Sequence, residues 1–494
     1  MPVDLLPHDK YDRVLLDHVR PTGWADPEPK AIYDLVAIGA GAAGLVSAVG
    51  AAGLGARVAL VEKHLLGGDC LTAGCVPSKA LLRCARAAAE VKRAGEFGVR
   101  VTGSEVDFPV VMERMRRLRA AIAPHDSAEH FRALGIDVFL GEGRFTGPDV
   151  LEVNGKRLKF RRAVVATGTR PAIPDVPGLV EAGFLTNESI FALTELPTQL
   201  AVIGGGPIGC ELGQAFARFG SRVTLFAKGA KVLPKEDPEA AAHVADALRR
   251  DGVTIVDAAI DRIDAGTNVV HHAGGEMAFD RILVATGRLP NVAGLGLEAA
   301  GVSFDENRGV LTDDHLRTTS KRIYAAGDVA TDKRFTHAAD AMARLVIRNA
   351  LFWGRSRFSR LVIPRCTYTE PELASVGMSA EDAAKAQLRF RTITQPFSTI
   401  DRAVIDGESD GFVTVRIAEW RDRILGATAV GPRANEIISE VAVAMTNGVG
   451  LGRLTRTIHA YPSAGEAIRK IGDTYNRTRL TPLTKWFLQL LLRR

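Results

Sequence analysis

The sequence predicts an α/β protein: two βαβ units, each opened by a glycine-rich turn, followed by a C-terminal α+β segment. Three observations carry this. The run Gly39-Ala-Gly41-Ala-Ala-Gly44 follows a short apolar stretch, Gly204-Gly-Gly206-Pro-Ile-Gly209 follows another, and beyond about residue 363 the pattern changes to strand alternation and an amphipathic helix.

Tyr33-Asp-Leu-Val-Ala-Ile38 reads as a buried strand ending on glycine. In the turn after it, Gly39 permits the tight bend, Gly41 allows a pyrophosphate to approach the backbone, and Gly44 lets the next helix pack closely. Free N–H groups and the macrodipole at that helix start favour phosphate. Arg57-Val-Ala-Leu-Val-Glu62 supplies the second strand, and Glu62, 23 residues after Gly39, stands where a carboxylate accepts hydrogen bonds from a ribose. The second unit repeats the plan with Leu200–Ile203, the turn at Gly204, Gly206 and Gly209, and Ser221–Phe226, which places Ala227 23 residues after Gly204. Each unit is followed by a strand ending in Ala-Thr-Gly, at Thr167-Gly168 and at Thr286-Gly287-Arg288. A third apolar strand ends at Gly327-Asp328. Both units are thus expected to be Rossmann-like nucleotide-binding domains.

The motif string resembles the flavoprotein disulfide reductases, the group that holds dihydrolipoamide dehydrogenase, glutathione reductase and mercuric reductase. The similarity runs from about residue 33 to about residue 475 and rests on Cys70-x4-Cys75-Val-Pro-Ser-Lys79, both fingerprints, Ala285-Thr-Gly-Arg-Leu-Pro-Asn291, the Ala-Ala-Gly327-Asp328 run and Thr369–Gly377. It implies FAD in the first unit, a nicotinamide coenzyme in the second, Asp328 at the flavin's ribityl chain, and a C-terminal homodimer interface. The expected domains are an N-terminal extension over 1–30, a FAD-binding domain over 31–190 and 311–362, a nicotinamide domain over 191–310, a dimerisation domain over 363–480 and a tail over 481–494.

The resemblance also implies the chemistry. Cys75 is the flavin-side sulfur, Cys70 the outer interchange thiol, and Lys79 lies by the flavin with Glu211 as its partner. A helix starting near Cys75, with Pro77 in its first turn, would depress the thiol pKa. The two thiols would also hold a soft metal ion transiently, as substrate. The acid–base position departs from the commonest relatives. Where they carry a histidine before proline, held by a glutamate five residues on, this chain has Tyr461-Pro462 with Glu466, and His459 two residues earlier. A phenol with a pKa of about 10 is a poor base at neutral pH. This disfavours dihydrolipoamide dehydrogenase and glutathione reductase and resembles mercuric reductase. Ala227-Lys228 at the end of the second unit's second strand points to NADPH, with NADH the alternative, because no carboxylate repels a 2′-phosphate and Lys228 offers a cation.

The expected function is therefore a mercuric-reductase-like NAD(P)H oxidoreductase. Two departures stand against it: no cysteine follows Cys366, and no N-terminal metal-binding segment with its own cysteine pair is present. The alternatives are a dihydrolipoamide dehydrogenase or other disulfide reductase, a membrane-recruited redox-sensor flavoprotein, and an NAD(P)H:quinone reductase.

Composition fits this reading. Of 494 residues, 46% are apolar and 24% charged, ordinary for a globular protein, and a net charge of +6 without a long basic run gives no signal for nucleic acid. Five cysteines with one close pair suit a reducing compartment, and without a secretory signal or an apolar run near 18 residues the expected location is cytoplasmic. The tail, Thr484-Lys-Trp-Phe-Leu-Gln-Leu-Leu-Leu-Arg-Arg494, is apolar with basic flanks and too short to span a bilayer. It reads as a peripheral membrane contact or as a helix packed on protein.

Overall fold

The computed structural model describes residues 5–492, so residues 1–4 of the expected N-terminal extension and 493–494 of the expected tail lie outside the described residues. The chain divides into two compact units: the first runs to Gly229 and resumes over Val256–Leu361, and the second comprises Ala230–Ile255 and continues from Val362.

A five-stranded parallel sheet organises the first unit, in the order Ile323–Ala325, Ala163–Val165, Leu35–Ile38, Val58–Glu62, Asp137–Leu140. Its central strands are buried on both faces, which is why they read as unbroken apolar runs. Successive side chains alternate between two cores. Leu35 and Ala37 pack with Ala48 and Val346, from the helices Ala42–Gly53 and Thr336–Leu351. Val36 and Ile38 pack with Phe145, Leu151 and Leu158, from an antiparallel sheet of Arg144–Gly147, Val150–Val153 and Lys156–Lys159.

The second βαβ unit places Gln199–Ile203 between the parallel strands Arg222–Phe226 and Arg281–Val284. The helix Pro207–Phe219 begins at its glycine turn. An antiparallel sheet, Ile260–Asp264, Val269–His272 and Gly275–Ala278, packs Ile263 and Val270 against Ala201 and Ile203. The segments beyond the two Ala-Thr-Gly runs pair with each other, Thr169–Pro171 antiparallel to Arg288–Pro290.

The residues ahead of the first strand are folded onto this unit. Asp9 caps the helix Lys10–Val19 by accepting from the N–H groups of Tyr11 and Asp12. Leu15 and Val19 enter the core, and Asp12 pairs with Arg119 at 2.7 Å with both side chains buried. Further on, Trp24 donates to the Val138 carbonyl and Asp26 accepts from Leu140 N–H.

The second unit is built on an antiparallel sheet in the order Arg365–Thr367, Glu372–Gly377, Ile424–Gly431, Phe412–Ala418, Phe390–Pro396. The expected alternating strand forms as Phe412–Ala418, and the expected helix as Ala434–Thr446. The helix Pro238–Arg250, within the stretch expected for the nicotinamide domain, belongs to this unit. Glu236 and Asp237, just ahead of it, pair with Arg365 (2.6 Å) and with the fully buried Arg416 (2.7 Å). The tail forms a helix, Pro482–Leu492, exposed along its length.

Candidate active site

The cysteines sit at a helix junction. Cys70 lies in the short helix Gly68–Thr72, and Cys75 is the first residue of the long helix Cys75–Arg93, with Gly74 as its cap and Pro77 inside its first turn. Cys75 is exposed, Cys70 half-buried, and both carry separate thiols. The Cys70 thiol donates to Cys75, and this bond does most to hold Cys75 down at about 6, against the opposing effect of desolvation. The Thr336 hydroxyl, 3.4 Å from Cys75 Sγ, and the charge of Lys79 lower it further. Cys70 is pushed up correspondingly, first by that same bond and then by burial. The pair therefore presents one thiolate, on Cys75, and one proton, on Cys70, and the free N–H groups at the helix start favour that distribution.

One turn along the same helix, Lys79 Nζ lies 2.8 Å from Glu211 Oε2. Glu211 is buried in the helix that opens at the second glycine turn, so this pair joins the two βαβ units. A second tie passes through Arg288. Its guanidinium pairs with Asp69, immediately before Cys70, and also bonds Thr169 Oγ1 (2.7 Å) and Asn187 Oδ1 (3.1 Å). Asn187 in turn donates to the Ala73 carbonyl, so the loop between the cysteines is anchored on both sides.

The parallel strands bring the predicted cofactor positions to one edge. The carboxyl ends of Leu35–Ile38, Val58–Glu62, Ala163–Val165 and Ile323–Ala325 lie side by side, which gathers Gly39, Gly41 and Gly44 with Glu62, Thr167-Gly168 and Gly327-Asp328. A Cβ on Gly44 would overlap the Gly39 carbonyl oxygen, and Gly39 itself has φ +99° with the Ala166 carbonyl against it. The fold itself demands those two glycines. At Gly41 a Cβ would meet nothing nearer than 4.0 Å, so the opening there is left for a ligand. The second turn repeats the arrangement: Gly204 and Gly209 are closed in by backbone, and Gly206 is open.

Glu62 is buried at the sheet edge, accepting from Ala40 N–H (2.6 Å) and His64 N–H (2.7 Å), and burial raises its carboxyl pKa. Burial likewise raises Asp328, which accepts from Thr169 Oγ1 at 3.3 Å. Each carboxylate retains acceptor capacity beside an open glycine turn, an acceptor set that fits the hydroxyl donors of a dinucleotide's ribose and ribityl chain. Thr167 and Gly168 bond back to Asn291, and Gly287 adopts φ +143°. Ala227 is 2% exposed, and Lys228 stands exposed just beyond the strand.

The remaining predicted residues lie in the second unit, each with a different partner. Tyr461 is 71% exposed and donates to Asp401 Oδ2 at 2.8 Å, which raises its phenol pKa. His459 Nε2 lies 3.0 Å from Glu440 Oε1, and His459 Nδ1 is buried without a hydrogen-bond partner. Glu466 accepts from Arg469 at 2.7 Å, not from Tyr461. Sequence reading missed Thr336 and the role of Arg288 and Asp69. Arg288 was visible within the Ala-Thr-Gly-Arg motif, whereas a lone threonine 261 residues from Cys75 carried no signal.

The family model for the pyridine nucleotide-disulphide oxidoreductases matches residues 33–344, and the model for the dimerisation domain of the same family matches residues 363–471. The chain belongs to this family. A mercuric reductase of Lysinibacillus sphaericus is 32% identical over 453 residues, covering 90% of this chain and 83% of that protein. A dihydrolipoyl dehydrogenase of Chlamydia trachomatis is 34% identical over 443 residues, covering 88% and 95%. Among solved structures, the HOCl-induced flavoprotein disulfide reductase RclA from Escherichia coli superposes with a TM-score of 0.79 at 30% identity, covering 89% of this chain and 99% of that one. LpdA from Mycobacterium tuberculosis gives 0.81 at 27% identity, covering 90% and 99%.

As a pyridine nucleotide-disulphide oxidoreductase, the chain is an FAD flavoprotein that uses NAD(P)H, with a disulfide redox centre and a dimerisation domain. Mercuric reductases and dihydrolipoyl dehydrogenases resemble it to the same degree, so the acceptor has to be argued from the residues. Among the described residues no helix is long and apolar enough to cross a membrane.

Proposed function

We propose that this oxidoreductase is an NADPH-dependent homodimeric reductase of a thiol-bound soft metal ion, with Hg(II) as the leading acceptor. The observation that carries the reading is Tyr461, a phenol held protonated by Asp401 where a disulfide or dihydrolipoamide reaction calls for a base.

FAD, when bound along Gly39–Gly44, Glu62 and Asp328, supplies the two-electron relay between coenzyme and dithiol. The chain's own residues do the rest. Cys75 is the thiolate at neutral pH, with Lys79 and the helix start stabilising its charge and Glu211 fixing the lysine. Cys70, the outer thiol, attacks the thiol-bound metal ion first. Its proton goes to a departing thiolate ligand, so ligand exchange needs no histidine. The balance is Hg(SR)2 + NADPH + H+ → Hg(0) + NADP+ + 2 RSH: the metal gains two electrons, the nicotinamide loses a hydride, and both thiolates leave protonated. Soft sulfur ligands suit such an ion. His459, in the loop that carries Tyr461, pairs with Glu440, and the preference for NADPH rests on the buried Ala227 and the exposed Lys228.

Cu(II) is the second acceptor, two ions taking one electron each as 2 Cu(II) + NADPH → 2 Cu(I) + NADP+ + H+, with the Cu(I) product suited to the soft thiolates, a reading supported by the Cu(II) complex of the structurally similar RclA from Escherichia coli. The enzyme acts in the cytoplasm, with the exposed apolar helix Pro482–Leu492 and its basic flanks supporting peripheral contact with an anionic membrane. NADPH oxidation with Hg(II), Cu(II), dihydrolipoamide-derived disulfide and a quinone, compared at equal concentration, tests the assignment. The metal ions should be turned over at least tenfold faster than the disulfide, and the reverse order overturns it.

A further inference from the structure

The first unit holds a basic concavity that the redox chemistry does not use. It has a volume of about 520 Å³ and is lined by His315, Arg317, Gly354, Arg355, Arg357 and Arg360, with no carboxylate in its wall. That volume is within the range of small-molecule sites, about 300–1,000 Å³, and exceeds what a single phosphate needs.

Its walls are two loops riveted together, not a chance gathering of mobile side chains. The buried Asn349 donates to the carbonyls of His315 (3.0 Å) and Ser356 (2.9 Å), and its Oδ1 accepts from Ser356 N–H. His315 Nδ1 lies 3.0 Å from the same Ser356 carbonyl. Asp314 accepts from the N–H and the hydroxyl of Ser359, both at 2.8 Å. Asp313 and Asp314 lie close to Arg317 and Arg357, whereas Arg355 and Arg360 make no ion pair among the described residues. Four guanidinium groups thus face one rigid cavity with half of their charge unmatched.

A second observation concerns the residue beside the cavity. Trp353 follows the helix Thr336–Leu351 in a left-handed conformation, φ +50°, and Gly354 N–H closes back onto the Arg348 carbonyl. Glycine is the usual occupant of that position, and a bulky side chain there is strained. Trp353 is also 88% exposed. Neither backbone preference nor burial accounts for a tryptophan here, so a strained turn carries an exposed aromatic directly ahead of Gly354 in the cavity wall.

We propose that this cavity binds an oligophosphate chain of two or more phosphoryl groups, gripped by Arg317, Arg355, Arg357 and Arg360 through paired N–H donors. The ligand site is separate from the dinucleotide turns and independent of the assigned acceptor.

The test is calorimetric titration of the holoenzyme at low salt, with NADP+ saturating the nicotinamide site, using ATP, inorganic tripolyphosphate and orthophosphate in turn. Submillimolar binding of ATP or tripolyphosphate is expected, weakened at least tenfold in Arg355→Ala/Arg360→Ala and falling as salt screens the charges. Because both arginines are exposed, the variant should keep its melting temperature and its KM for NADPH. Tighter binding of ATP than of tripolyphosphate assigns the chain to a nucleotide, and equal binding to an inorganic polyphosphate. Binding weaker than millimolar, binding unchanged in the double variant, or orthophosphate binding as tightly as tripolyphosphate overturns the proposal.

Discussion

Lys79 Nζ lies 2.8 Å from Glu211 Oε2, and this one ion pair ties the helix that begins at Cys75 to the helix that begins at the second glycine turn. The lysine thereby does two things: it compensates a buried carboxylate, and its charge favours the Cys75 thiolate. Replacing Lys79 with methionine should move the Cys75 titration upward from about 6. Thiolate absorbance of the reduced protein against pH measures this, and an unchanged midpoint would separate Lys79 from the thiol.

The pH dependence of thiol reactivity follows from the same values. Because Cys75 is lowered from its ordinary value, its thiolate persists as pH falls until about 6, below which it is protonated and loses nucleophilicity. Alkylation of the reduced enzyme should therefore show a midpoint near 6 at Cys75 while Cys70 stays protonated. In Cys70→Ala the donated hydrogen bond is gone and the midpoint should rise toward that of a free thiol, about 8.5.

The glycine turns allow folding and cofactor binding to be separated. Gly44→Ala drives a methyl into the Gly39 carbonyl and should destabilise the apoprotein by about 1–3 kcal/mol or more. Gly41→Ala meets nothing nearer than 4.0 Å, so the apoprotein should melt as before while FAD retention falls. Melting curves of both variants with and without FAD check the pair.

Tyr461 is predicted to be dispensable as a base. General base catalysis contributes about 10²–10⁴-fold where it operates, so Tyr461→Phe should lower metal-ion turnover by less than about tenfold. A hundredfold loss of kcat, with KM unchanged, would return the phenol to proton transfer.

Much of this was legible beforehand, and the exceptions have physical causes. The sheet edge at Gly39, Glu62, Thr167 and Asp328 could be read because strands buried on both faces leave long apolar runs and tight turns leave glycine. Lys79 and Glu211 were placed by resemblance, and the structure brings them together. Thr336 was invisible, since a contact across the whole unit has no local pattern. Asp12, Glu236 and Asp237 look like solvent-facing charges in sequence. Their partners Arg119, Arg365 and Arg416 bury or clamp them, which turns a polar N-terminal arm into a docked helix and attaches Pro238–Arg250 to the C-terminal sheet. Glu466 stands where the relatives' glutamate holds a histidine before proline. The helix Glu466–Thr478 begins at Glu466 and sets Arg469 one turn away, so the carboxylate is taken locally.

Coenzyme choice is a further consequence of Ala227 and Lys228. Ala227→Glu would place a carboxylate at the strand end where it bonds a ribose 2′-OH and repels a 2′-phosphate, and should reverse the ratio of kcat/KM for NADPH over NADH. Steady-state rates with both coenzymes measure it.

The most direct measurement is anaerobic stoichiometry: purified holoenzyme, a known amount of NADPH, and Hg(II) complexed by excess thiol, with elemental mercury and NADP+ both quantified. The account predicts one Hg(0) released per NADPH consumed, and none in Cys70→Ser or Cys75→Ser even though both variants retain FAD. NADPH consumption without Hg(0), or full Hg(0) release from either serine variant, would contradict it.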